Sequence, residues 1–289
     1  MGGPAVALQP IRAEDAGAVG AFLNQHLNAG VTAEAWSDVI RPPWKSDAPN
    51  HGFQLVGEEG IVGVYAAVYS TRGVEGAPVA VCNLAAFCVL ESHRSQSLRL
   101  IRALLGQKGF DFTDLSPSGN VVAMNERLGF TRLDTATKLA VNLPGSSGRR
   151  TTVTSDPAAL ETTLRGQDAA IYRDHRDAAA ANHLLIERGG VYAYLVFRKD
   201  RRKRVPVFAT PLYAGGDHAL LEASWAGVAS HLLLHHGMLA TLAERRVLGF
   251  TPKAPGRELR NPRPKMFRGS RLDPATVDYL YSELVLVRW

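Results

Sequence analysis

The order of elements along the chain predicts an α/β protein of the α+β kind, built in two halves, each a mixed, mostly antiparallel sheet flanked by helices. Three observations carry this prediction. Apolar runs of strand length, separated by turn-forming residues, fill residues 52–90 and recur over 191–213. In each half the last of these runs leads through a loop into a helix with apolar residues at helical spacing, and then into a further strand. Between the halves, Gly145-Ser146-Ser147-Gly148 follows Pro144 and precedes Arg149-Arg150, with no apolar periodicity. The expected domains are therefore residues 1–144 and 151–289.

The first half opens with a short strand over residues 5–9 and an amphipathic helix over 13–27, whose buried side is expected to be Val19, Phe22, Leu23 and Leu27. A short helix over 32–40 is stopped by Pro42-Pro43. Strands are expected over 52–58, 60–70 and 78–90, joined by glycine-rich and acidic turns suited to hairpins. Cys82 and Cys88, the two cysteines, share the last of these strands. Their even spacing predicts one common face and a separation too long for a bridge, so both should be reduced thiols. After residues 91–97 comes a helix carrying Leu98, Ile101, Leu104 and Leu105 and ended by Gly109. A strand over 110–115, a short helix over 121–128 and a strand over 131–141 complete the half.

The second half repeats the order. A helix with Tyr172 near its end precedes a strand over 191–197, a basic turn over 198–204 and a strand over 205–213. Gly215 and Gly216 then turn the chain into a helix over 217–236, with Leu221, Trp225, Val228 and Leu232 on one stripe, and a strand over 238–247. Leu248-Gly249-Phe250-Thr251 echoes Leu128-Gly129-Phe130-Thr131, which makes an internal duplication the expectation. Residues 253–271 read as basic, proline-containing loop. Arg257, Arg260, Arg263, Lys265, Arg268 and Arg271 there either line an anionic cleft or form a solvated face; residues 277–287 return to an apolar strand pattern.

Bulk composition narrows the classes. Apolar residues make up 46% and charged residues 21%, the usage of a globular protein able to bury a core. No stretch reaches the roughly 18 uninterrupted apolar residues of a membrane helix. The first thirty residues carry Arg12, Glu14 and Asp15 and no secretory apolar run, so a soluble, cytoplasmic protein is expected, with no membrane partner. The net charge of +6 favours anionic partners without choosing among nucleotide phosphates, acidic lipids and nucleic acid.

One segment carries chemistry. Val89-x-Glu91-x-x-Arg94-x-x-Ser97-x-Arg99, closing a strand and opening a helix, resembles the coenzyme A loop of the GNAT N-acetyltransferase superfamily, written V-x-P-x-x-[QR]-x-x-G-x-[GA]. Such a loop aims backbone N–H groups and a helix dipole at a pyrophosphate. Ala123, Asn125, Leu128, Gly129 and Phe130 match the short helix ending in L-G-F that follows the fifth strand of that family. The resemblance implies two tandem GNAT-like domains and an acyltransferase that moves an acetyl or longer acyl group from acetyl-CoA or another acyl-CoA to a small-molecule amine acceptor, by direct attack on the thioester. It also implies that the strand edge at Phe87, Cys88 and Val89 pairs with the pantetheine amides, and that Arg94, Ser95, Gln96, Ser97, Leu98 and Arg99 hold the pyrophosphate. Asn125 stands where many members have a tyrosine acting as general acid, Ser97 and Arg99 where they have small residues, and Glu91 where they have proline. Asn83 is placed to position the acceptor or a water, although an amide is no base at neutral pH. The strand before Val89 holds no Glu or Asp, so it names no base. These departures keep a second reading open: a non-catalytic GNAT-like binding or partner protein.

Other residues support alternatives. Tyr172-Arg173-Asp174-His175 could form an acid–base group or a polar helix end. His231, His235 and His236 share a helix, but Leu232 breaks the H-E-x-x-H pattern and no third ligand is evident, so no metal is expected. The basic residues 198–204 fit a solvated turn or a nucleic-acid contact. Without an aromatic stacking pattern, nucleic acid is not the expected partner.

Overall fold

A computed structural model describes residues 6–74, 77–202, 205–260 and 262–288. The elements run in chain order β1 (Ala7–Pro10), α1 (Ala16–His26), α2 (Ala33–Ile40), β2 (Gly52–Gly57), β3 (Gly60–Val74), β4 (Ala77–Val89), α3 (Ser97–Leu105), β5 (Asp111–Asp114), α4 (Gly119–Arg127), β6 (Thr131–Arg132) and β7 (Thr137–Val141). There follow β8 (Thr151–Thr154), α5 (Pro157–Thr163), α6 (Gly166–His175), β9 (Asn182–Arg188), β10 (Val191–Arg202), β11 (Val205–Gly216), α7 (His218–Ala223), α8 (Trp225–His236), β12 (Ala240–Glu244), α9 (Arg245–Leu248), β13 (Gly256–Leu259), β14 (Met266–Arg268) and α10 (Glu283–Leu286).

These form two mixed seven-stranded sheets flanked by helices, with strand orders β1-β2-β3-β4-β5-β14-β6 and β8-β9-β10-β11-β12-β7-β13. The orders correspond position by position. In each, four antiparallel strands meet the fifth in parallel, through β4 with β5 and β11 with β12. The sixth place is taken by a strand from the other half of the sequence, β14 in the first sheet and β7 in the second. The expected strand over 131–141 is accordingly two strands in different sheets, because the chain leaves the first sheet after Leu133, whose N–H bonds Lys265 O. The chain divides into two compact units. One holds the chain up to Leu133 with Pro264–Pro274 and the segment from Tyr281 on; the other holds Asp134–Arg263 and Ala275–Leu280. Gly145-Ser146-Ser147-Gly148 lies in the second unit, against α8, where Gly227 lacks the Cβ that would collide with Ser147.

Each core forms where apolar strand faces meet helices. In the first unit Leu100, Ile101 and Leu104 of α3 pack on Tyr65, Cys82 and Leu84. In the second, Leu221, Trp225, Val228 and Leu232 pack on Leu184, Leu195 and Phe197 as the helical stripe predicted. Thr32 and Asp217 start α2 and α7 by accepting from Ala35 N and Leu220 N. Gly129 and Gly249, the echoed glycines, close α4 and α9 with φ of 86° and 80°.

Several expectations are corrected. Leu27 caps α1 and is exposed, and Leu98 is 55% exposed because Leu100 turns to the core in its place. The helix over 217–236 breaks at Ser224 into α7 and α8. Residues 277–287 form no strand: the chain is irregular before α10. Two short strands, β13 and β14, arise in the tract 253–271. The basic stretch is strand rather than turn as far as Arg202, with Arg198 and Asp200 buried and ion-paired at 3.1 Å; Lys203 and Arg204 lie outside the described residues, as does Ala5 of the expected first strand. A bulge at Ala85, where Ala66 pairs Ala86 but Ala67 pairs Leu84, inverts the alternation of β4. Cys82 and Leu84 before it and Phe87 and Val89 after it face one core, so the cysteines, both free, do not share a face. No helix among the described residues is long and apolar enough to cross a membrane.

Candidate functional site

The strands β4 and β5 pair only over Val81↔Asp111, Cys82↔Phe112 and Asn83↔Thr113. Beyond Asn83 the bulge at Ala85 adds twist and β4 runs on to Val89, bonded to β3 on one edge and to no strand on the other among the described residues. Phe87, Cys88 and Val89 lie on this stretch, with the Phe87 ring 4.7 Å from that of Tyr65. The strands thus open a wedge whose apex is the Asn83–Thr113 pair.

A buried polar network gathers at that apex. Thr113 Oγ1 donates to Asn83 Oδ1 (3.0 Å) and Asn83 Nδ2 donates to Glu283 Oε2 (2.6 Å). Ser116 Oγ donates to Glu283 Oε1 (2.5 Å). Glu283 is fully buried. It arrives on α10, two residues after Tyr281, whose φ of 53° is held between an edge contact to Trp44 at 5.2 Å and the Arg72 guanidinium 4.8 Å over its ring. On the other face of β5, Asp114 accepts from Asn125 Nδ2 at 2.7 Å. Burial, with Glu283 nearby, pushes the Asp114 carboxyl up to about 7 against the opposing bonds from Asn125 and the Ser116 backbone. Burial, with Asp114 nearby, also raises the Tyr65 phenol.

The loop residues are arranged differently from a free helix N-terminus. Residues Glu91–Gln96 form a 3₁₀ turn in which His93 N–H bonds Leu90 O and Ser97 N–H bonds Arg94 O, so the first orphan amides belong to Glu91 and Ser92 rather than to Ser97. Arg94 is exposed, with Glu91 at 3.6 Å. Ser97 Oγ turns back to Arg94 O (2.6 Å), and Arg99 Nη1 donates to Val6 O (2.9 Å) and Gln96 Oε1 (3.1 Å). Ser95 and Gln96 lie on the same turn, and Leu98 points outward.

The structure thus brings Asn83 into contact with Glu283 and Asn125 with Asp114. Asp114, Ser116 and Glu283 were missed by sequence reasoning. For the two acids the signal was a carboxylate beside apolar residues, Asp114 before Leu115 and Glu283 before Leu284-Val285-Leu286; Ser116 had none.

The remaining candidates fall in the second unit. His175 is buried, with its Nδ1 2.9 Å from Ile171 O of its own helix. Tyr172 floors a hollow of about 260 Å³ with Leu160 and Leu164, rimmed by Glu161, Arg173 and Arg176. His231 and His236 turn their Nε2 atoms to Ser155 Oγ at 3.4 and 3.1 Å. Among the described residues no group of three or more His, Cys, Asp or Glu is placed to hold a metal.

Neither a family model nor a curated protein matches the chain in sequence. Solved structures do match in shape. A GCN5-related N-acetyltransferase from Anabaena variabilis matches with a TM-score of 0.57 and 12% identity over 91% of this chain and 72% of that one. A GCN5-related N-acetyltransferase from Kribbella flavida gives 0.57 and 16% over 91% and 71%. The Saccharomyces cerevisiae N-myristoyltransferase solved with bound myristoyl-CoA gives 0.55 and 11% over 98% and 85%. The chain therefore has the fold of the GCN5-related N-acetyltransferases, in two tandem halves.

Proposed function

We propose that the chain is an acyl-CoA-dependent N-acyltransferase that carries an acetyl or longer acyl group to a small-molecule amine, with its site in the first unit. The observation that carries this reading is the wedge: a strand edge that no strand among the described residues pairs from Leu84 to Val89 opens beside two buried carboxylates. An extended amide chain adds to such an edge by main-chain hydrogen bonds, and the pantetheine arm of coenzyme A is such a chain. For the pyrophosphate, Arg94 and the first amides of the 3₁₀ turn are the groups at hand, because Arg99 is engaged elsewhere. Bound acyl-CoA supplies a thioester carbon. Asn83 and Thr113 orient Glu283 at the apex, and Asn125 orients Asp114. The amine nitrogen bonds the thioester carbon, the carbon–sulfur bond breaks, and the amine proton passes to the carboxylate network. Two free cysteines favour a reducing, cytoplasmic location.

A second reading, a binding or partner protein without catalysis, draws on the Glu91 carboxylate beside Arg94 and on the lost helix-start amides. Calorimetric titration with acetyl-CoA and with a longer acyl-CoA separates the two. Saturable binding that Arg94→Ala weakens about tenfold, the worth of one charge-assisted contact, supports the enzyme. No binding of either thioester rejects it.

A further inference from the structure

Of the six side chains in the apex network, five are buried: Asn83, Thr113, Asp114, Asn125 and Glu283. Ser116 alone reaches the surface, from the loop just past β5. Its hydroxyl donates to Glu283 at 2.5 Å and its backbone N–H bonds the Asp114 carboxyl, so one residue touches both carboxylates. The second oxygen of Glu283 is held by Asn83 at 2.6 Å. A fully buried carboxylate cannot meet a substrate nitrogen directly; a hydroxyl both accepts and donates a proton and can stand between them.

We infer that Ser116 is the proton relay of the acyl transfer, its Oγ taking the proton of the attacking amine as its own proton passes to Glu283 Oε1. The inference rests on the acyltransferase reading. The step balances without a further reagent: an N–H bond breaks, an Oγ–H bond forms and another breaks, and Glu283 becomes neutral. The proton then returns along the same two bonds to the departing thiolate, which leaves as the thiol and restores the carboxylate.

The test uses the full chain with Ser116→Ala and Ser116→Thr. Thiol release from acetyl-CoA and a longer acyl-CoA is followed with butylamine, spermine or water as nucleophile, beside calorimetric binding. The relay requires kcat to fall about 100-fold in Ser116→Ala with binding unchanged, the usual scale for one acid–base group. It also requires Ser116→Thr to recover most of the rate, and a solvent-deuterium inventory that is curved for the native chain and linear for Ser116→Ala. Unchanged turnover in Ser116→Ala, with thioester still bound, overturns the relay and leaves the acyltransferase. An acyl group found covalently on Ser116 by mass spectrometry overturns it in favour of a nucleophile. A native chain that binds neither thioester overturns the acyltransferase reading and the relay together.

Discussion

Replacing Asp114 by Asn isolates the cost of a carboxylate buried beside another. The side chain is 4% exposed and its folded-state pKa stands at about 7 against an ordinary value of 3.8. Because the folded value is the higher one, the folded protein binds the proton more tightly. This contribution to stability is fully present below pH 3.8, falls as the pH climbs, and is lost above pH 7. At ~1.4 kcal/mol per pH unit the whole swing is about 4 kcal/mol. Asn keeps an acceptor for Asn125 Nδ2 and carries no charge, so Asp114→Asn should be more stable than the native chain by roughly 2–4 kcal/mol at pH 8.5, after up to about 1 kcal/mol for altered hydrogen bonds. Thermal unfolding followed by circular dichroism should show that gain as a rise of roughly 5–10 °C in Tm. At pH 5 the two should unfold within a few degrees of each other. An equal gain at both pH values, or a loss at pH 8.5, would refute the assignment of a strained carboxylate at this position.

Two further outcomes test the framework. At Gly52, where φ is +103° and an added Cβ would lie 2.1 Å from Tyr65 O, Gly52→Ala should destabilise the first unit by about 3 kcal/mol or more in urea titration, since β2 must then move from β3. His236, edge-on to Phe197 and facing His231, His235 and Lys199, has its pKa lowered from 6.5 to about 4, chiefly by burial. Stability should therefore decline as the pH falls from 6.5 towards 4, and His236→Gln should flatten that part of the Tm profile.

The repeated order of elements was legible because it depends on local periodicity: the stripe on α8, the strand hairpins and the echoed L-G-F turns each follow from spacing along a short window. Asn83 could be singled out as a polar residue in an apolar strand, and Asn125 because it falls at the tyrosine position of the motif. What escaped was whatever depends on distant partners. Nothing near Asn83 announces Glu283, two hundred residues on. The bulge that inverts β4 arises from pairing with β3 rather than from the sequence of β4 alone. Arg94, Ser97 and Arg99 were read in a motif frame that made residues 91–97 a loop ahead of the helix, whereas hydrogen bonding winds a turn from Glu91 on and ties Arg99 to Val6. The fate of β7 and β14 is likewise a matter of which edge is open, which no single window records.

The exchange of β7 and β14 bears on how the protein is made. During synthesis the first sheet must wait with β5 unpaired on one side until Met266–Arg268 has been translated, after the Asp134–Arg263 segment of the second unit. For that interval β5 offers a ready template to any extended segment, including the β14 of another chain. A ribosome that stalls or a protease that cuts near Arg263 would release a product with that edge exposed and without the residue that completes the apex network. Such fragments should be aggregation-prone, and coexpressing a peptide spanning residues 264–288 is the direct way to ask whether a nicked chain can be rescued.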